Sequence, residues 1–68
     1  MREIILQIVN GKGVVRAVEL ALDVMGKVNP SRFETETYRR ELDELIRIGD
    51  VLELRYVLFE TDCIQYIY

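Results

Sequence analysis

This chain of 68 residues has no histidine and no tryptophan, and it has only one proline and one cysteine, Cys63. A lone cysteine forms no internal disulfide, which excludes a disulfide-stapled secreted scaffold and favours an intracellular, cytoplasmic or nuclear, setting. Zinc sites use cysteine and histidine ligands, so none can be assembled here. The only metal site that the composition permits is a carboxylate site for a hard cation. We therefore expect no metal and no cofactor.

Long apolar runs are missing as well. No segment reaches the ~18 to 20 consecutive apolar residues that a membrane span requires. The first residues, MREIILQIV, include Arg2 and Glu3 and lack the small-residue cleavage site of a signal peptide. The sequence therefore predicts a protein without a membrane segment.

Positive charge is scarce in the second half of the chain. The formal net charge is −3 at neutral pH. Residues 1–34 carry five basic and four acidic side chains, whereas residues 35–68 carry four basic and eight acidic ones. Phosphate backbones attract basic surfaces, so this distribution counts against simple DNA binding.

What the chain has is apolar side chains, which make up 50% of its residues. Its length suits one small domain spanning residues 1–68. A domain of this size hides only about 60% of the surface that its unfolded chain exposes. The apolar content therefore indicates either a dense core or an apolar surface that a partner covers.

The first half of the chain has the apolar spacing of helices. A helix is predicted over residues 2–9, with Asn10-Gly11 as its stop and a turn over residues 11–13. Val14 and Val15 fit either a short strand or the start of the next helix, which is predicted over residues 16–25 and ended by Gly26. A connection follows over residues 27–33, and its Asn29-Pro30 pair suits either a turn or a helix start.

The second half predicts a helix followed by a hairpin. An amphipathic helix turns Tyr38, Leu42 and Leu45 inward and ends before Gly49. Residues 51–58 then alternate in polarity, as a strand does, and a loop over residues 59–62 leads to a second strand over residues 63–68. Pairing Leu58 with Cys63 would place Leu54 opposite Ile67 and Arg55 opposite Tyr66, and Tyr56 is the ring expected in the core.

The pattern Tyr38-x-x-x-Leu42-x-x-Leu45, followed by Gly49-Asp50-Val51, carries a resemblance to a known family. Across nearly the whole chain, the order helix, short strand, helix, helix, two-stranded hairpin resembles the winged-helix family, in which a recognition helix runs through such a turn into the wing. The resemblance implies a mainly α (α+β) fold, a three-helix winged-helix domain. The connection from Gly26 to Thr35 looks several residues longer than the tight turn of the bacterial regulators.

The resemblance also implies which residues would bind nucleic acid. The outward side chains Arg39 and Arg40 would meet bases and phosphates of double-stranded DNA, Arg32 would reach a phosphate, and Arg55 would act from the wing. The competing interpretation is a solvated helix surface, because oppositely charged side chains four positions apart stabilise such helices. Three pairs have that spacing: Glu36 with Arg40, Arg39 with Asp43, and Arg40 with Glu44.

Two functions remain open from the sequence. The first is a DNA-binding module of a transcriptional or DNA-processing protein. The alternative is a protein–protein interaction or dimerisation module of the same fold, which uses the acidic helix and wing or the apolar second helix. Gly11-Lys12-Gly13 lacks the spacing of a phosphate-binding loop, and no nucleophile and base are arranged for catalysis. We therefore expect neither enzyme activity nor a small-molecule substrate.

Overall fold

The computed structural model describes residues 1–28 and 34–68. These residues form an α+β fold of three helices and a three-stranded antiparallel sheet, with the strand order β1-β3-β2. This arrangement is compatible with a small winged-helix-like domain. The expected turn at Asn29-Pro30 and the candidate side chain of Arg32 lie outside the described residues. In chain order the elements are α1 (Arg2–Lys12), β1 (Val14–Arg16), α2 (Ala17–Lys27), α3 (Thr35–Ile48), β2 (Leu52–Leu58) and β3 (Thr61–Ile67).

Both predicted glycine stops in the first half of the chain are wrong. Helix α1 continues through Gly11 and ends at Gly13, which has a φ of 75° and donates its backbone N–H to the Val9 carbonyl at 2.8 Å. Helix α2 likewise includes Gly26 and ends only at Val28, whose backbone is extended. Glycine inside a helix costs only about 1 kcal/mol, so tertiary contacts can carry a helix through it. The strand alternative for Val14 and Val15 is confirmed.

The predicted end of the third helix is confirmed. Gly49 adopts the left-handed conformation, with φ 89° and ψ 7°, directly after Ile48. The backbone N–H groups of Asp50 and Val51 both donate to the Leu45 carbonyl, at 3.0 and 3.3 Å. This folded-back backbone brings Val51, which is completely buried, into the core at the start of the hairpin.

The core lies between the three helices and one face of the sheet. The inward positions predicted for α3 are confirmed, because Tyr38, Leu42 and Leu45 are all buried. Burying a leucine side chain such as that of Leu42 or Leu45 stabilises the fold by roughly 1.5–3 kcal/mol. The buried cluster consists of Ile5, Ile8, Val9, Val15, Leu20, Val24, Tyr38, Leu42, Leu45, Val51 and Tyr66.

The hairpin has a different register from the predicted one. Leu58 pairs with Thr61, so that Leu54 lies opposite Gln65 and Arg55 lies opposite Ile64. The connection is a two-residue turn, Phe59-Glu60, and both residues have positive φ angles, of 52° and 62°. Two such residues form the tight turn whose twist matches that of the strands. The predicted four-residue loop was too long, and the pairing therefore shifts by two positions.

The side of β2 that faces the helices is the less apolar of its two sides. Tyr66 is buried and pairs with Val15 on one side and with Glu53 on the other, so these three side chains point towards the helices. Alternation along β2 then directs Leu52, Leu54, Tyr56 and Leu58 to the opposite side. The expectation that Tyr56 supplies the core ring is wrong, because Tyr66 occupies that place and Tyr56 is only half-buried.

Ion pairs at the surface join the helices. The Lys12 ammonium at the end of α1 lies 2.5 Å from a Glu19 oxygen and 3.3 Å from an Asp23 oxygen, both on α2. The hydrogen bond to Glu19 is the main cause that raises the pKa of Lys12. Arg2 on α1 reaches Glu41 on α3 at 2.8 Å. Exposed pairs of this kind contribute little because solvent screens them, so the buried cluster provides most of the stability.

Replacing Gly49 with alanine is expected to destabilise the domain by about 1–2 kcal/mol, since an L-residue is strained at its positive φ. Gly26→Ala is the matched control, because Gly26 lies in a helix and a Cβ there meets no atom within 4 Å. The control should raise the free energy of unfolding by roughly 0.5–1 kcal/mol. Urea denaturation measures both variants, and equal effects would contradict the importance of the Gly49 conformation.

Candidate functional site

The solvent-facing side of the sheet is apolar. We call it the outer sheet face, and it comprises the side chains that point away from the helices on β1, β2 and β3. Leu52 is 58% exposed, Leu54 45% and Leu58 49%. An antiparallel sheet with one covered face normally presents polar side chains on the other. The members of the outer sheet face are Val14, Arg16, Leu52, Leu54, Tyr56, Leu58, Thr61, Cys63, Gln65 and Ile67.

The apolar members of the outer sheet face are neighbours across the strands. Ile67 on the central strand pairs with Val14 on one side and with Leu52 on the other, which makes an apolar row across the sheet. Tyr56 lies opposite Cys63 in the same sheet. A contiguous exposed apolar patch on a small domain marks a site of interaction, whereas scattered apolar residues need no such explanation.

Further exposed apolar side chains lie on α2 and at the hairpin turn. The apolar surface of α2 is not fully enclosed, because Val18 and Leu22 are 72% and 60% exposed. Val18 lines a groove of about 450 Å³ together with Tyr56 and Leu58. Phe59 at the turn is 91% exposed. The groove extends the outer sheet face towards the first turn of α2.

Strand β2 also has a free edge. In the strand order β1-β3-β2, one side of β2 bonds to β3, and no strand among the described residues pairs with its other side. Natural proteins usually shield such an edge with proline, charged side chains (lysine above all), a bulge or a covering element, because its unpaired backbone groups can pair with another chain. The seven residues of β2, Leu-Glu-Leu-Arg-Tyr-Val-Leu, include neither proline nor lysine, and their two charged side chains, Glu53 and Arg55, form an ion pair with each other.

The predicted nucleic-acid-binding residues of α3 are exposed. Arg39 and Arg40 both face solvent, and in the part of the chain that the structure describes neither makes an ion pair. The three expected pairs four positions apart are therefore wrong. Arg47, one turn later, instead donates a hydrogen bond to the Glu44 carboxylate, and this bond lowers the pKa of Glu44. Arg39 and Arg40 share their surface of α3 with Glu36, Asp43, Glu44 and Arg47.

Arg55 lies away from Arg40 but beside Arg39. Arg39 and Arg55 line a groove of about 340 Å³ between α2, α3 and the inward side of the hairpin, together with Asp43 and Glu53. The Arg55 Nε donates a hydrogen bond to Glu53 at 2.8 Å. Two cations and two carboxylates thus line the same groove, so a phosphate there would meet no net positive charge from these four groups.

Two tyrosines line that groove as well. Burial raises the pKa of Tyr38 to about 12, and the neighbouring Tyr66 contributes to the same shift. Burial is also the main cause that raises the pKa of Tyr66, with Glu53 and Asp43 adding to it. Both phenols are therefore protonated at neutral pH and supply neutral polar groups to the groove.

The alternation of residues 51–58 predicts a strand but does not identify which of its two sides is exposed. Gly49-Asp50-Val51 is the signal that could have identified it, because a turn that buries Val51 directs every even-numbered residue of the strand outward.

Neither a metal centre nor a membrane helix is found in the described part of the chain. Residues 1–28 and 34–68 contain no group of three or more carboxylate or thiol side chains placed to hold an ion. None of the described helices has the length and apolar character for crossing a bilayer. Comparisons of the chain with protein families, with curated proteins and with solved structures gave no match. The candidate site therefore stands on its geometry alone.

The high pKa of Tyr38 predicts a loss of stability at alkaline pH. An unfolded tyrosine releases its proton near pH 10 while the folded one keeps it to about 12, so the free energy of unfolding falls across this interval. Burial raises the pKa of Tyr66 too, so absorbance titration should find two late-titrating phenols, and Tyr38→Phe should remove one of them. The exposed Tyr68→Phe is the control and should retain both. An unchanged number of late phenols in Tyr38→Phe would contradict the assignment.

Proposed function

We propose that this chain is a winged-helix-like protein-interaction module that binds another polypeptide through the outer sheet face. The observation that carries the proposal is the exposure of Leu52, Leu54 and Leu58 on the uncovered side of the sheet. Burying apolar area there would release about 25 cal/mol for each Å² removed from water. These side chains lie outside the buried core cluster and each is about half exposed, so this gain is available to a partner.

The composition of the surface also supports a protein partner. The centres of protein–protein interfaces are depleted in charged residues and enriched in aromatic ones. Along β2 the outer sheet face offers three leucines and Tyr56, and the two charged residues of this strand, Glu53 and Arg55, point to the other side. Arg16 at the end of β1 and Thr61 beside the hairpin turn provide polar groups of the kind found at an interface rim, and Gln65 adds an amide group on the central strand.

A photo-crosslinking amino acid at Leu52 or at Leu58 is expected to capture a polypeptide in cells that express the chain. Both side chains project from the outer sheet face, and mass spectrometry of the adduct identifies what binds. The control is the same amino acid at Glu3, which is exposed on α1. Equal yields at all three positions, or no adduct at Leu52 and Leu58, would overturn the proposal.

A second candidate function is DNA binding through α3. One observation favours it: Arg39 and Arg40 are neighbouring exposed cations that no carboxylate of the described residues neutralises by an ion pair. In winged-helix-like proteins that bind DNA, this helix would enter the major groove. The remaining predicted contacts add little support, because Arg55 is paired with Glu53 and Arg32 lies outside the described residues.

If Arg39 and Arg40 each neutralise one phosphate, raising the salt from 50 to 200 mM should weaken duplex binding about tenfold. Arg39→Ala/Arg40→Ala should abolish this salt dependence. Arg47→Ala is the matched control on the same helix, since that guanidinium is already bonded to Glu44, and it should have a smaller effect. Fluorescence anisotropy with a labelled duplex measures all three proteins. Absence of binding by the unaltered chain at 50 mM salt would exclude this function.

A further inference from the structure

The free edge of β2 presents backbone groups at defined residues. Phe59-Glu60 forms a hydrogen-bonded turn that closes on the pair Leu58 and Thr61. In an antiparallel ladder, hydrogen-bonded and non-bonded pairs alternate, so Leu58, Tyr56 and Leu54 direct their N–H and C=O groups to β3. The N–H and C=O groups of Glu53, Arg55 and Val57 point the other way. This free edge can therefore accept a further antiparallel strand.

The charges on β2 identify what that further strand is. Glu53 and Arg55 are two positions apart on the side of the strand that faces the helices, and they bond to each other at 2.8 Å. Two copies of such a strand are complementary when they run antiparallel, because the acid of one lies opposite the base of the other. No partner of different sequence is needed to provide this match.

We propose that a second copy of this chain is the partner, and that the two β2 strands pair antiparallel about a twofold axis at Leu54. This inference rests on the proposed function and names its partner. Leu54 then lies opposite Leu54 of the second copy. Glu53 lies opposite Arg55 of the second copy, and Arg55 lies opposite its Glu53. The two sheets join into one sheet of six strands.

Other symmetric registers lose this match. An axis at Arg55 places two arginines opposite each other, and an axis at Glu53 does the same with two carboxylates; like charges in facing positions are destabilising. An axis at Tyr56 places Arg55 opposite Val57 and moves Glu53 opposite the turn residue Phe59. Among these four axes, only the one at Leu54 forms both ion pairs.

Backbone geometry and apolar contacts favour the same register. With the axis at Leu54, Glu53 of one copy faces Arg55 of the second copy. Both residues direct their backbone N–H and C=O groups to the shared edge. On the outer sheet face it places Leu52 opposite Tyr56 of the second copy, in addition to the pair of Leu54 side chains. Facing side chains lie about 4.5–5.5 Å apart between Cβ atoms, within van der Waals reach. The outer sheet faces of the two copies become one continuous apolar surface.

Charge reversal tests the register directly. Glu53→Arg places arginines opposite arginines at both positions, and Arg55→Glu places carboxylates opposite carboxylates, so each variant alone should dimerise at least about tenfold more weakly than the unaltered chain. A one-to-one mixture of the two variants should form a heterodimer, because both facing pairs then combine an arginine with a glutamate. The double variant Glu53→Arg/Arg55→Glu should regain self-association. Sedimentation equilibrium over a range of concentrations measures these four samples and the unaltered chain.

Matched controls separate the interface from folding and from net charge. Glu3→Arg makes the same change in charge as Glu53→Arg but lies on α1, and it should dimerise like the unaltered chain. Leu54→Lys places two ammonium groups at the axis and should yield monomers, whereas Leu22→Lys, at an exposed position of α2, should not. Far-UV circular dichroism verifies that each variant is folded, and the Leu54→Lys and Leu22→Lys pair provides the test if a charge reversal at Glu53 or Arg55 unfolds the chain.

The outcomes distinguish this inference from the proposed function. A dimer that responds to charge reversal and to mixing as described supports pairing through β2, and adducts at Leu52 and Leu58 between two copies support the proposed function as well. A strictly monomeric chain, or a dimer that neither charge reversal nor Leu54→Lys weakens, overturns pairing through β2. If the crosslinks at Leu52 and Leu58 then capture a different protein, the interaction function stands and the second copy is excluded. If they capture nothing, both are wrong.

Discussion

The left-handed turn at Gly49 is the constraint on which the exposed surface of this domain depends. It returns the chain to the last turn of α3 through two backbone hydrogen bonds to the Leu45 carbonyl, and this geometry places Val51 in the core. A strand has a side-chain period of two, so burial of Val51 determines the direction of every later residue in β2. Leu52, Leu54 and Leu58 must then face solvent. A single backbone conformation thus decides which side of the hairpin is covered by the helices.

No element among the described residues covers the apolar side of the sheet. Val15, Tyr66 and Val51 complete the inward side of the sheet, and together with the helices they close one core. Leu52, Leu54 and Leu58 lie on the other side, and each keeps about half of its surface in water. The protein-interaction proposal accounts for these exposed apolar side chains. The free edge of the same strand provides the geometry through which a second copy can use them.

Features that depend on local periodicity could be predicted from the sequence, whereas features that depend on turn conformation could not. The spacing of Tyr38, Leu42 and Leu45 predicted both the buried side of α3 and its end at Gly49. The hairpin register was wrong because it depends on positive φ angles at Phe59 and Glu60, which are residues without a preference for that conformation. The partners of Arg39 and Arg40 were wrong for a similar reason. Helical spacing permits several ion pairs, and side-chain geometry decides which of them forms. Here Glu44 pairs with Arg47 and not with Arg40.

Glu53 and Arg55 connect the two candidate functions. Within one chain these side chains neutralise each other, so Arg55 is poorly suited to hold a phosphate. Across the proposed twofold axis the same two side chains would still be paired, each with the opposite charge of the second copy, and Arg55 would remain unavailable to nucleic acid. Dimerisation would also join two chains of net charge −3, which raises the repulsion that a phosphate backbone meets. Self-association through β2 therefore leaves DNA binding dependent on Arg39 and Arg40, because the dimer releases no further cation on the hairpin.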